Sequence, residues 1–196
     1  MLKRVEGWFR RRGQGDATPA APAGDSAIGL GLRPVPVEML DAFLETARLA
    51  DNRGCSPWVL REEQQLATLR RALEYLVQSG VWLQVADEGV EHWEGHLMTL
   101  CARPTEPLGF VLACRPRPET AWQLRFFCVP EHWRGRGHGR QLLQQTREAF
   151  QGEPCVARLP VACEAGARCL EGAGFERQGT DATGVRYYEA PAYWGP

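Results

Sequence analysis

Apolar residues recur along this chain with two different periods, and the switches between them predict an order of strands and helices. Residues 29–35 read as a short strand. Pro36 then opens a helix to about residue 49, with Met39, Leu40, Phe43, Leu44 and Ala47 on one side. Ser56 as N-cap and Pro57 in the first turn predict a longer helix over 57–78, its apolar side formed by Leu66, Leu69, Leu73, Leu76 and Val77. After Gly80 strand patterns take over. Residues 81–86, 96–102, 108–114 and 122–129 read as strands separated by turn-forming stretches. The run 81–96 fits either a hairpin or a short helix. A helix pattern follows over 141–150, then a buried strand at 155–159, a helix at 164–171 and a closing hairpin of 175–178 with 185–189. The folded part begins near Leu30, so the domain expected is 30–196.

Composition narrows the field. The chain of 196 residues carries a net charge of −1, which argues against whole-chain electrostatic binding of nucleic acid. No apolar run approaches the ~20 residues of a membrane span. Charge is uneven, however. Residues 1–12 hold Lys3, Arg4, Arg10, Arg11 and Arg12 against Glu6, a balance of +4, with Leu2, Val5 and Phe9 on one helical face. This basic amphipathic segment suits an anionic membrane surface or an acidic protein partner, or else serves only solubility. Residues 13–29 have the Gly, Ala, Pro and Ser content of a flexible linker. The seven cysteines include no C-x-x-C pair and predict reduced, buried thiols of a cytoplasmic protein, peripheral at a membrane if the basic segment docks there. His92 and His96 have zinc-like spacing but lack a third ligand, so no metal site is expected.

The chemistry concentrates in residues 129–140, Val-Pro-Glu-His-Trp-Arg-Gly-Arg-Gly-His-Gly-Arg. A strand, a proline turn and a glycine-rich loop lead here into a helix. Glycines let backbone N–H groups face a ligand closely. The helix N-terminus adds unpaired amides and partial positive charge, which together suit a phosphate or pyrophosphate. The dinucleotide fingerprint G-x-G-x-x-G does not fit the spacing, and the loop lacks the Gly-Lys-Ser/Thr end of a P-loop.

Arg134-Gly135-Arg136-Gly137-His138-Gly139, following Val129-Pro130 and followed by Leu142-Leu143, closely resembles the coenzyme loop of the GNAT superfamily of acyl-CoA-dependent N-acetyltransferases. Gly174-Phe175 matches a second family signature, and the resemblance spans about residues 30–190. It implies an α/β fold: a mixed, mostly antiparallel twisted sheet with helices on both faces, preceded by a tail. It implies acetyl-CoA as co-substrate and an amine acceptor of small-molecule or protein origin. Backbone amides of Arg134, Gly135, Arg136, Gly137, His138, Gly139 and Arg140 would cradle the pyrophosphate of coenzyme A. The backbone near Phe127 and Val129 would pair with the pantetheine arm, where the strands at 122–129 and 155–159 splay apart.

The resemblance also exposes what is missing. The family's usual base positions are Gln123 and Arg125 here, its usual tyrosine acid is Leu170, and a common asparagine is Cys163. Glu131 and His132 remain as candidate bases, and Tyr187 or Tyr188 as candidate acids, one of the two being expected to pack and the other to face water. His138 is expected to flank phosphate, and a free Cys163 would be a conceivable nucleophile. Arg125 is either an outward strand residue or a cleft residue that favours an acceptor with a carboxylate or phosphate. The competing reading is a non-catalytic acyl-CoA-binding or partner-binding module tethered by its basic N-terminal helix.

Overall fold

The computed structural model describes residues 30–194, apart from Glu88, Pro104, Thr105 and Glu119. The segments expected at 1–12 and 13–29 lie outside the described residues. The chain runs through β1 (Gly31–Pro34), a 3-10 turn (Val37–Met39), α1 (Leu40–Asp51), α2 (Glu63–Ser79), β2 (Val81–Ala86), β3 (Gly89–Arg103), β4 (Glu106–Arg115) and β5 (Trp122–Cys128). A second 3-10 turn (Glu131–Trp133) leads to α3 (His138–Ala149), β6 (Cys155–Leu159), α4 (Glu164–Gly172), β7 (Glu176–Thr180) and β8 (Arg186–Ala190).

The strands form one sheet in the order β1-β3-β4-β5-β6-β8-β7, with β2 paired to β3 off that path. Among the described residues only β5 and β6 run parallel; the other pairs are antiparallel. The run at 81–96 is therefore a hairpin, pairing Val81 with Glu94 through Ala86 with Gly89. Beyond it β3 continues between β1 and β4, so one long strand serves both the hairpin and the main sheet.

Helices cover both faces. On one, Phe43 of α1 and Leu73 and Leu76 of α2 bury against Phe110, Leu112 and Phe126. On the other, Leu142 and Leu143 of α3 and Leu170 of α4 bury against Val111, Ala113, Trp122 and Leu124. Each of the Leu, Val and Phe side chains contributes about 1.5–3 kcal/mol by leaving water. At the end of the sheet remote from the glycine loop, the Arg115 guanidinium donates to Glu94 at 2.7 Å and to Glu153 at 2.9 Å.

Two expectations need correction. The second helix starts at Glu63, not Pro57. Glu62 and Gln65 form a reciprocal capping box there. Residues 57–61 stay non-helical because their side chains are needed elsewhere: Trp58 packs near Phe43, Trp82 and Phe126, and Leu60 is 2% exposed. The Leu60 amide donates to Asp51 Oδ2 at 2.8 Å, and the Ser56 hydroxyl accepts only from Trp58 N at 3.0 Å. The thiols are not all reduced either. Cys55 and Cys163 form a disulfide across 108 residues of sequence, with Cα atoms 5.6 Å apart. Chain folding brings the loop after α1 against the start of α4, a contact no spacing rule shows. The other five cysteines are free. His92 and His96, four apart on strand β3, stand about 13 Å apart along it.

Candidate active site

β5 organises the site. Its register against β4 runs from Phe110↔Cys128 to Leu112↔Phe126 and then jumps to Ala113↔Leu124. Arg125 is left over, so β5 bulges there. The bulge switches the facing of the strand: Trp122 and Leu124 join the α3/α4 core, whereas Phe126 joins the α1/α2 core. On its other edge β5 pairs with β6 only from Trp122↔Cys155 to Leu124↔Ala157. Past the bulge the two strands separate, while β6 continues along β8 to Leu159↔Arg186. The facing edges of β5 and β6 there have no strand pairing with each other, which leaves backbone donors and acceptors for a ligand. A cavity of about 910 Å³ opens at this gap, lined by Gln123, Arg125 and Phe127 of β5 and by residues of β6, β7 and β8. Val129 is not on the lining; its side chain lies close to Gly109 and Gly139.

The glycine loop follows directly. Gly135 (φ 76°) and Gly137 (φ 83°) adopt left-handed backbone, and a Cβ added at either would meet nothing within 4 Å. These two are glycine for the backbone turn and for open space above it, not for packing. Gly137 is the N-cap of α3 and supplies no side-chain oxygen to the helix amides. The first intrahelical donor is Gln141 N, to Gly137 O at 3.1 Å. The amides of His138, Gly139 and Arg140 thus precede any intrahelical bond. No acidic residue stands in the first turn. Arg134, Arg136 and Arg140 are exposed and, among the described residues, in no ion pair. Arg134 Nε ties the loop to Val129 O at 3.0 Å, and Arg136 stacks over Trp133 at 4.9 Å. His138 meets the same Trp133 edge-on. Gly139 is glycine for a different reason: a Cβ there would come 2.7 Å from Cys169 Sγ, so it lets α3 approach α4. Bare amides, surplus cations and vacant space form a fitting cradle for a pyrophosphate.

The floor of the cavity follows from strand alternation. Ala157, Leu159, Tyr188 and Ala190 face the α3/α4 core. Val156, Arg158, Tyr187 and Glu189 therefore face the other way, on the side of Gln123 and Arg125. Tyr187 OH accepts from Arg158 Nη2 at 2.9 Å and donates to Asp181 Oδ2 at 2.9 Å. Thr183 first, then Tyr187 and nearby amides, hold the Asp181 carboxyl down at about 2. The same bond to Asp181 raises the Tyr187 pKa, so its hydroxyl keeps its proton. Tyr188 is buried at 1% exposure in the α3/α4 core, whereas alternation along β8 turns Tyr187 to the opposite face.

The sequence candidates separate accordingly. Gln123 and Arg125 come together on the lining. Glu131 is exposed, off the lining, and paired with Arg53 at 2.7 Å. His132 is exposed and also off the lining. Leu170 is fully buried, and Cys163 is joined to Cys55, so it is no free nucleophile. Arg158, Asp181 and Glu189 were not singled out from the sequence. Alternation along β6 and β8 was the available signal for Arg158 and Glu189; Asp181 reaches the site through a hairpin turn that has none.

Comparison with known proteins places this geometry. The Acetyltransferase (GNAT) family matches residues 63–168, more than half of the chain. No curated protein sequence matches significantly. A phosphinothricin acetyltransferase from Sinorhizobium meliloti in complex with acetyl-CoA superposes with a TM-score of 0.61 at 17% identity, over 84% of this chain and 89% of that one. AAC(6')-Ib in complex with paromomycin and acetyl-CoA gives 0.58 at 17% identity, over 83% and 93%. Spermidine N-acetyltransferase from Vibrio cholerae with CoA and spermine gives 0.56 at 11% identity, over 82% and 92%. At these identities the likeness is one of fold.

Proposed function

Because this chain belongs to the GNAT family of acetyltransferases, we propose that it moves an acetyl group from acetyl-CoA to a primary amine of a small molecule or protein. The amine attacks directly in a ternary complex. The observation that carries this reading is the junction of two features: the gap between β5 and β6, and the bare α3 N-terminus with its glycine loop beside it. The loop amides from Arg134 to Arg140 would hold the pyrophosphate, helped by the unpaired arginines. The open backbone edge near Phe127 would pair with the pantetheine amides, directing the thioester along the gap. The acceptor would enter over the face bearing Gln123, Arg125 and Tyr187. Gln123 is able to hold a water or the amine by hydrogen bonds but not to take a proton. Tyr187 presents a protonated hydroxyl on this face, and to protonate the leaving thiolate it would turn its O–H away from Asp181. In the family's solved relatives the bound acceptors include an aminoglycoside and a polyamine, and acceptors of that amine chemistry are the starting set here.

The second reading, a coenzyme- or partner-binding module without transfer, draws on the absence of a carboxylate at Gln123 and Arg125 and of a tyrosine at Leu170. One experiment separates the two. Calorimetric titration with acetyl-CoA and coenzyme A, repeated on Gly137→Glu, tests the cradle. An amine screen with thiol release as readout then tests transfer. Coenzyme binding abolished by Gly137→Glu, followed by amine-dependent thiol release, establishes the enzyme. Binding without release for any amine leaves the coenzyme-binding module. No binding of either coenzyme removes the enzyme and leaves only partner binding, to be sought by pull-down with and without residues 1–12.

A further inference from the structure

We infer that the acceptor carries a carboxylate beside its amine, and that Arg125 is the residue that selects it. This rests on the acetyl-transfer reading and specifies its second substrate. Arg125 occupies the β-bulge where β5 leaves β6, at the head of the gap through which the acceptor must meet the thioester. Its position is not that of a solvated surface arginine. The side chain is partly buried on the cavity lining, with its guanidinium 5.7 Å from the centre of the Trp93 ring. Nη2 donates to Gln84 Oε1 at 3.0 Å and Nη1 lies 3.5 Å from Gln123 Oε1. Both partners are neutral amides. Among the described residues no carboxylate lies within ion-pair distance of it. A charge removed from water with only neutral partners is costly, and a ligand anion is the group that compensates it.

The neighbouring charges sharpen the point. Arg158, on the same face, already has its counter-ion in Asp181 at 3.6 Å and its hydrogen bond in Tyr187. Asp181 is thereby occupied and is not available to Arg125. Glu189 shares this face but lies at the paired end of the strands, in the row Gln123–Val156–Glu189, two strands and about 10 Å from β5. Burial lowers the Arg125 pKa most, Cys114 opposes that and Arg158 adds to it, and the net direction is downward, an environment an anionic ligand would relieve. A planar guanidinium with a neutral amide on each side is also oriented for two-point contact with a carboxylate. A polycation such as spermine would meet Arg125 as a like charge.

The test uses matched acceptors: amino acids and dipeptides as free acids, each beside its C-terminal carboxamide, with spermine as a carboxylate-free amine. We expect kcat/KM per deprotonated amine to be higher for each acid than for its amide by tenfold or more, the correction being needed because a carboxylate makes the amine beside it more basic. Arg125→Gln should lower the acids at least tenfold more than it lowers their amides. Gln84→Ala, which removes the neutral partner but keeps the cation, should preserve the preference for acids. Thermal melts confirm that each variant is folded. Amides or spermine turning over as well as the acids overturns the inference and leaves acetyl transfer standing. So does a preference for acids that survives Arg125→Gln, or one that Gln84→Ala removes equally, which would make Arg125 a strut for the β2–β3 hairpin. No turnover of any amine, with coenzyme bound, overturns the acetyl-transfer reading itself.

Discussion

Replacing Gly137 by alanine separates the folding role of the coenzyme loop from its binding role. Gly137 sits at φ 83°, ψ −4°, and a Cβ there would touch nothing within 4 Å. The substitution therefore adds no clash to the protein alone. It adds left-handed strain for an L-residue, about 1–2 kcal/mol. For a domain of this size that lowers Tm by roughly 2–8 °C. The strain exists before the coenzyme arrives, so it does not enter the binding equilibrium. Any loss of affinity then reports the methyl group standing where the pyrophosphate approaches. Gly80→Ala is the matched control: φ 73°, nothing within 4 Å, and a place after α2 off the cavity lining. Calorimetry and melting of both variants should show similar losses of Tm. Only Gly137→Ala should weaken coenzyme A, by tenfold or more, about 1.4 kcal/mol. If both variants bind coenzyme A as tightly as the parent, the backbone at Gly137 does not approach the pyrophosphate and the loop assignment is wrong.

Four other outcomes are expected. His96 and Arg115 hold the Glu94 carboxylate at about 2 instead of 4.5, the 2.7 Å contact to Arg115 being a formed hydrogen bond and His96 standing 3.8 Å away. A depressed carboxylate stabilises above its unfolded pKa and loses that contribution as pH falls through the folded one. Urea unfolding of Glu94→Gln should thus show a deficit of roughly 2–3 kcal/mol at pH 7 that shrinks between pH 4.5 and 2; a deficit independent of pH contradicts the assignment. Non-reducing peptide mapping should recover Cys55 linked to Cys163, and reduction should cost up to about 4.8 kcal/mol for a loop of 108 residues in the chain-entropy account; an unchanged Tm on reduction would show the bond is absent in solution. Tyr187→Phe should lower kcat with little change in KM for acetyl-CoA, whereas an unchanged kcat removes Tyr187 as the proton donor. Finally, kcat/KM for the acceptor should rise about tenfold per pH unit up to the amine's own pKa; a plateau at one pH for all acceptors would reveal a protein base instead.

Much of the fold was legible because local pattern and tertiary packing agree. β2 and β6 have the ends that alternation predicts, and the loop before α3 carries its glycines where the backbone needs them. The failure at residues 57–62 shows the competing force. Ser56-Pro57 is a good local start signal, worth about 1 kcal/mol as a cap. Burying Trp58 and Leu60 in the α1/α2 core contributes more than that, so packing overrides the cap. The floor of the site was legible only in part. Gln123 and Arg125 were reached only through the family resemblance, which marks their positions on the strand before the loop. Arg158, Tyr187 and Asp181 meet them only because β6 is parallel to β5 and β8 antiparallel to β6, and no local period encodes that pairing.

Among the described residues the carboxylates of that floor are Asp181, tied to Tyr187 and Thr183, and Glu189, at the paired end of the strands, and the energetics show why transfer does not require one poised over the gap. General acid or base assistance contributes about 10²–10⁴-fold, or roughly 3–5 kcal/mol. Holding amine and thioester in line contributes up to roughly 7–11 kcal/mol. A site that positions both reactants retains the larger share. What it gives up falls on the acceptor, which must arrive already deprotonated. A lysine side chain, with a pKa near 10.4, is about 2.5 units harder to deprotonate than an α-amino terminus near 7.9, a difference of about 3.4 kcal/mol. On the proposed reading, the absence of a base would make the site selective for the less basic amine. A short peptide, whose α-amine keeps a pKa of about 7.9 and whose carboxylate stands at its far end, would satisfy this demand and also supply the anion that Arg125 lacks; a free amino acid, its amine made more basic by the adjacent carboxylate, would supply only the anion. Two independent features of the same floor, a missing base and an unpaired guanidinium, converge on one kind of acceptor.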